Sequence, residues 1–286
     1  MQAPTADPTT LNAWHIVGAL DEIPIGVKRA SRLLGRSIAI LRRDRETVEV
    51  SQGGGSALPV LNRYGYVWTS LGAPPPRLFE IPEYFEADRR NINAATFGVH
   101  VSAPRAIENF LDMGHFPFVH TGYLGEEPFT EVKDYDVEIV ENPSEILATR
   151  CRFYQPRPSP TATEGFDVEY VYRVPHPFCS VLYKSNTTDP ARMDVIALFL
   201  QPLDEEHVNA NMLLSVLDDI SDNGQIRRFQ QTIFGQDKPI LENQFPKRLP
   251  LDPRVETPIR ADKSSITYRR WLRSQGITYG TIPAAT

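Results

Sequence analysis

Asn109-Phe110-Leu111-Asp112-Met113-Gly114-His115-Phe116-Pro117-Phe118-Val119-His120 puts two histidines, a carboxylate and a carboxamide into twelve residues otherwise suited to a core. Polar groups in so apolar a setting need partners, because desolvating them is costly. The chain has six histidines, and two of them fall here. That clustering points to a metal site whose third ligand lies elsewhere in the sequence.

Upstream, Ser102 reads as a helix cap and Pro104 suits a first helical turn. Asn109, Asp112, Met113 and Phe116 then share one face by i, i+3, i+4 and i+7 spacing. Gly114 and Pro117 loosen the end of that helix. Downstream, strand-like segments run over about 131–141, 145–154, 166–174, 178–185, 192–201 and 206–216. The alternation is clear where Phe166, Val168, Tyr170 and Tyr172 interleave with Asp167, Glu169, Val171 and Arg173. Consecutive strands with short connections predict an antiparallel sheet.

Helical period returns from Gln225 to Gln244, with an apolar stripe of Ile226, Phe229, Ile233, Ile240 and Leu241. Asp237 lies on that stripe, where a carboxylate must be paired, hydrogen-bonded or metal-bound. Gly235 and Pro239 bracket it and weaken regular helix. A last helix is expected near 263–275, docked by Tyr268, Trp271 and Leu272 and ended by Gly276.

The N-terminal part is less regular. Residues 1–13 read as a frayed leader. Strand-like runs follow at Trp14–Val17, Ser37–Leu41 and Tyr64–Thr69. Gln52-Gly53-Gly54-Gly55-Ser56 has the composition of a flexible linker. The piece has few apolar residues for its length and reads as incomplete. Across 286 residues the net charge is −6, which disfavours nucleic acid as a partner. No apolar run approaches a membrane span, so no membrane association is expected. Cys151 and Cys179 read as two buried free thiols in a reducing, cytoplasmic setting.

Two imidazoles and one carboxylate on one face of a ferrous ion make the facial triad of non-haem iron oxygenases, with open positions for O₂. His115, His120 and Asp237 supply that donor set. Asp112, three residues before His115, is placed to hold a ligand histidine's tautomer, and Asn109 sits one turn earlier. The spacing of the histidines alone is weak, and zinc accepts the same donors. His15, His100, His176 and His207 read as structural. Gln230, Ile233 and Phe234 precede Asp237 by seven, four and three residues, so a helix turns them toward the same cavity. A flat, polar-edged ligand suits such a wall.

Asn109, Asp112, His115 and His120, followed by Asp237 within Gln236–Glu242, resemble the motif of the Rieske-type non-haem iron oxygenase catalytic subunits. Trp14–Val17, Leu34-Gly35-Arg36 and Tyr64–Trp68 resemble strands that frame the Rieske domain in that family. The resemblance implies an α+β fold. A truncated Rieske-type β domain (1–90) would precede a helix-grip catalytic domain (91–286) whose curved antiparallel sheet wraps a long C-terminal helix. It implies mononuclear Fe(II) at His115, His120 and Asp237, with O₂ as co-substrate and Asp112 bridging toward the electron donor.

One departure from the family is informative. A Rieske [2Fe–2S] cluster takes two cysteines and two histidines, yet the interval from Ser51 to Arg63 holds neither residue type. This chain therefore carries no [2Fe–2S] cluster, and the glycine run reads as a bridge over a deleted subdomain. Within the family this layout resembles the bacterial caffeine-pathway branch that removes the N7 methyl of 7-methylxanthine, giving xanthine and formaldehyde. That resemblance implies a separate Rieske-containing, NADH-dependent reductase and a glutathione S-transferase-like subunit. Intact family members form head-to-tail trimers; the deletion removes part of that contact, so any ring here depends on partners. The alternative is a non-catalytic helix-grip ligand-binding or structural subunit.

Overall fold

A computed structural model describes residues 6–53, 55–186 and 189–284. Six strands come first: β1 (His15–Ala19), β2 (Lys28–Leu33), β3 (Arg36–Arg42), β4 (Val48–Gln52), β5 (Val60–Arg63) and β6 (Tyr66–Thr69). They form two small antiparallel sheets, ordered β1-β6-β5 and β2-β3-β4. Seven more strands follow: β7 (Arg90–Val99), β8 (Asp136–Val140), β9 (Glu145–Gln155), β10 (Phe166–His176), β11 (Cys179–Ser185), β12 (Met193–Pro202) and β13 (Val208–Val216). These build one antiparallel sheet in the order β7-β13-β12-β11-β10-β9-β8. The helices are α1 (Pro8–Leu11), α2 (Ala103–Leu111), α3 (Phe116–Val119), α4 (Asn223–Asn243) and α5 (Lys263–Ser274). The mixed α+β architecture expected from the sequence is what forms. Among the described residues no helix is long and apolar enough to cross a membrane.

The large sheet has two faces because successive side chains alternate. On one face Val168, Tyr170, Tyr172, Leu198 and Met212 pack with Ile107 and Leu111 of α2, Phe234 and Leu241 of α4, and Trp271 of α5. On the other, Val181, Val195, Ala197 and Phe199 meet Trp14, Ile16, Tyr66 and Trp68. Three bulges bend the sheet. One faces Tyr170/Tyr172, where Arg150 of β9 takes φ +57°; a second lies between Arg173 and His176 against β11, and a third between Met212 and Leu213 against β7. Such extra residues kink a strand and increase its twist.

The N-terminal piece, read as poor in apolar residues and incomplete, nevertheless closes a core of its own. Val17 and Val67, on the reverse side of β1 and β6, close a core with Ile38, Ile40, Val48 and Val50. Residues 1–5 of the expected leader lie outside the described residues, but Ala6 to Ala13 are docked. Asp7 caps α1 through the Thr10 N–H at 2.7 Å and accepts from the Thr278 and Tyr279 N–H groups at 2.8 and 3.2 Å. Burial works against its charge, and these donors outweigh it, holding the carboxyl below its ordinary value. Sequence patterning misses this because the partners lie some 270 positions away.

The strand expected over Tyr64–Thr69 begins two residues later. Tyr64 and Gly65 take φ +58° and +78° as the two-residue turn between β5 and β6, the geometry that favours glycine. Gly54 of the expected linker lies outside the described residues; beside it the Gln52 N–H donates to Ser56 O at 2.9 Å.

Two buried histidines tie the layers together. His15 of β1 donates from Nε2 to the Thr10 carbonyl at 2.7 Å, and its ring lies 5.9 Å from that of His176 at the end of β10. Burial lowers His15 to about 4 and His176 to about 3. Both are neutral in the folded chain, while the unfolded chain takes up protons below about 6.5. Their contribution is therefore complete above that pH and lost as pH falls toward 4. Between pH 6.5 and 5 each should cost about 2 kcal/mol of stability. Urea unfolding at those two pH values should show the loss in the native chain and roughly half of it in His176→Gln. An unchanged pH slope in the variant would refute the assignment.

Candidate metal centre

The helix expected before the histidines forms, with Ser102 Oγ accepting from the Arg105 N–H at 3.3 Å. It ends at Leu111, not Phe116, because Asp112 leaves helical geometry (φ −84°, ψ 124°). The shared face predicted through Phe116 is therefore broken. Asp112 Oδ1 instead takes the Gly114 N–H at 2.7 Å, turning the chain into α3. His115 and His120 flank this four-residue helix as its N- and C-caps. That turn brings imidazoles five positions apart to within 3.1 Å at Nε2.

Asp237 arrives from α4. Asp222 and Gln225 form a reciprocal capping box, with both bonds at 2.8 Å, and the helix runs unbroken past Gly235 and Pro239. Asp237 and Ile233 are buried on it as the stripe predicts, whereas Ile240 is exposed and lies on an outer groove. Asp237 Oδ1 lies 3.2 Å from His115 Nε2 and 3.1 Å from His120 Nε2. A metal about 2.1 Å from each of three mutually cis donors sets them about 3 Å apart. The spacing suits such an ion.

The hydrogen bonding fits as well. Asp112 Oδ2 accepts from His115 Nδ1 at 3.0 Å, and Gln236 Oε1 accepts from His120 Nδ1 at 2.9 Å. Both Nδ1 protons are thereby committed outward, and both Nε2 atoms turn toward Asp237. With both Nε2 atoms unprotonated, Asp237 Oδ1 is buried with no hydrogen-bond donor aimed at it among the described residues. An orphaned carboxylate oxygen facing two imidazole nitrogens is the donor set of a cation site. Without a cation, burial opposes charge on His115, yet the Asp112 and Asp237 carboxylates outweigh it and raise the ring to about 9. Burial likewise opposes charge on Asp237, and the two imidazoles pull its carboxyl below the ordinary value.

Gln230, Ile233 and Phe234 all line a cavity of about 60 Å³ beside the three donors, as the helical spacing predicts. Phe234 stacks on Phe97 of β7 with centroids 4.6 Å apart. Asn109 lines both this cavity and the outer groove, which is about 460 Å³ and also reaches Asp112 and His115. Sequence reasoning missed Gln236, although it adjoins Asp237, and missed Tyr170, Tyr172 and Lys184 in the cavity wall. The alternation of β10 places both tyrosines on one face, which was the available signal. Cys151 and Cys179 are free and buried. Of the remaining histidines, His100 and His207 stack at 4.4 Å away from the site.

The vanillate O-demethylase oxygenase C-terminal domain family matches residues 99–275. The probable methylxanthine N7-demethylase NdmC of Pseudomonas sp. (strain TJI-51) is 49% identical over 272 residues, 95% of this chain and 96% of that protein. Methylxanthine N1-demethylase NdmA of Pseudomonas putida is 28% identical over 224 residues, covering 74% of this chain and 58% of that protein. Among solved structures, Pseudomonas putida CBB5 NdmA with caffeine matches with a TM-score of 0.75 at 20% identity, over 93% of this chain and 90% of that one. Dicamba monooxygenase bound to 3,6-dichlorosalicylic acid matches with a TM-score of 0.74 at 15% identity, over 93% and 97%. The chain belongs to the Rieske-type non-haem iron oxygenases, among the demethylating members of that family.

Proposed function

From that membership we propose that the chain is the catalytic subunit of an N-demethylase acting on 7-methylxanthine. The observation that carries the reading is the buried, donorless Oδ1 of Asp237 held 3.1–3.2 Å from two imidazole nitrogens. His115, His120 and Asp237 would hold a ferrous ion, which when bound supplies O₂ activation. Asp112 and Gln236 fix the two imidazole tautomers that such binding requires. Gln230, Ile233 and Phe234 form the wall against which a flat purine would lie, with its N7 methyl toward the three donors.

The reaction inserts one oxygen atom into a C–H bond of the methyl group. It consumes O₂, two electrons and two protons, and releases water. The hydroxymethyl product then loses formaldehyde, and its nitrogen regains a proton to give xanthine. With no cluster ligands in this chain, the electrons come from a separate Rieske-bearing, NADH-dependent reductase. The groove outside Asp112 is the proposed docking face, with Ile240 on its rim and Glu256 and Asp262 in its wall. Residues 1–90 are taken as the reduced Rieske-type domain and 91–286 as the catalytic domain. A glutathione S-transferase-like subunit would complete the assembly in the cytoplasm, where two free thiols are at home.

The test is anaerobic loading with ferrous iron, followed by NADH, the Rieske-bearing reductase and 7-methylxanthine in air. One bound iron per chain, and xanthine and formaldehyde in equal amounts, are expected. A ligand-binding or structural subunit with vestigial side chains would take up no iron and form neither product.

A further inference from the structure

Lys184 belongs to no part of the metal centre, yet it sits where two cavities meet. The metal-side cavity adjoins a second chamber of about 120 Å³, floored by Phe166, Val216 and Ile226 and roofed by the 158–161 loop. Four residues line both spaces: Lys184, Ile196, Phe229 and Gln230. They form a neck between them. The metal-side space, about 60 Å³, is well under the roughly 150 Å³ cavity that houses a single benzene. A bicyclic ligand with one edge at the metal must therefore extend through the neck into the outer chamber.

The chemistry of the neck is specific. Lys184 lies on the inner face of β11, opposite Asp194 of β12 in the strand register, and is only 8% exposed. Its ammonium donates to the Pro158 carbonyl, which leaves two of its three N–H groups for another acceptor. Among the described residues Asp194 makes no hydrogen bond or ion pair with Lys184; its oxygens accept from the Leu217 N–H at 2.8 Å and Asn186 Nδ2 at 2.9 Å. A buried ammonium with spare donors facing a cavity is costly unless something in that cavity accepts from it. Phe229 supplies a flat apolar wall and Ile196 an aliphatic one, and the Gln230 amide supplies a second polar contact.

We infer that Lys184 is a specificity-determining residue that donates to a ring carbonyl of the ligand as it threads the neck. The site thereby selects flat bicyclic heteroaromatics bearing carbonyl groups over plain ones. This rests on the methylxanthine reading and adds to it the group that reads the oxygens.

The test is equilibrium binding to the ferrous-loaded full chain, without reductase, using 7-methylxanthine and 7-methylpurine, which lacks both carbonyls. Lys184→Met should weaken 7-methylxanthine binding tenfold or more, the range of a hydrogen bond from a charged donor, and leave 7-methylpurine within about twofold. Lys184→Arg should restore most of the preference. Thermal unfolding of each variant separates loss of the Pro158 contact from loss of recognition. Equal weakening of both ligands would mean that Lys184 only straps the 158–161 loop, and no change for either would mean that it reads nothing; each overturns the inference alone. A native chain that binds neither purine overturns the methylxanthine reading and the inference together.

Discussion

Asp237→Ala is expected to abolish iron binding and turnover together while leaving the fold intact. Loss of an outer partner of a ligand already costs about 10–100-fold in metal affinity, so loss of one of three donors should cost more than about 100-fold. The two remaining imidazoles, 3.1 Å apart, form no facial set, and His115 loses one of the two carboxylates that balance its charge. Folding is spared for a separate reason. Asp237 is one side chain on α4, whose docking rests on Ile226, Phe234 and Leu241, although the imidazoles that hold its carboxyl below the ordinary value lose that contact and some loss of stability is expected. Metal analysis after loading and formaldehyde release at saturating 7-methylxanthine are the two measurements. Undiminished formaldehyde would show that the ion is held elsewhere.

What the sequence disclosed of the fold follows the range of the interactions involved. β10 was legible because Val168, Tyr170, Tyr172 and Val174 alternate with less buried, mostly polar neighbours. The long α4 was legible from its period. β7 was not, though it has ten residues and pairs with β13 along its whole length. Its run of Asn91, Asn93, Ala94, Ala95 and Gly98 has poor strand propensity, and a bulge breaks its alternation. It is a strand because β13 is there to pair with it. The docked segment around Asp7 has the same character, since its partners Thr278 and Tyr279 stand at the opposite end of the chain.

The candidate site divides in the same way. His115 and Asp112 are three apart, and Gln230, Ile233 and Phe234 lie within two turns of Asp237, so local spacing sufficed to group each set. No periodicity joins residue 120 to residue 237; Asp237 was joined to the histidines because a carboxylate on an apolar stripe needs a partner, and the family resemblance agreed. Lys184 escaped notice because a lysine in a strand is ordinarily a solvated one. Only the register of β11, which turns Leu182 and Lys184 to the same inner face, reveals it as buried.

Asp112→Asn should separate electron delivery from metal binding. The carboxylate makes two bonds, from the Gly114 N–H to Oδ1 and from His115 Nδ1 to Oδ2. Its side chain remains 30% exposed toward the groove where a donor would dock. Asparagine keeps the size but has one acceptor oxygen, so it holds either the turn or the imidazole proton, not both. Iron affinity should fall about 10–100-fold, a loss that saturating iron restores. What saturation does not restore is the negative group between groove and ligand. Turnover driven by NADH and the reductase should fall by about a hundredfold, the size expected when a positioned contact between reacting partners is lost. Hydrogen peroxide supplies the oxygen atom and the electrons together, so formaldehyde formed with it should stay within about tenfold of the native chain. If both routes fall equally at saturating iron, Asp112 acts only through His115, and electrons enter this site by another path.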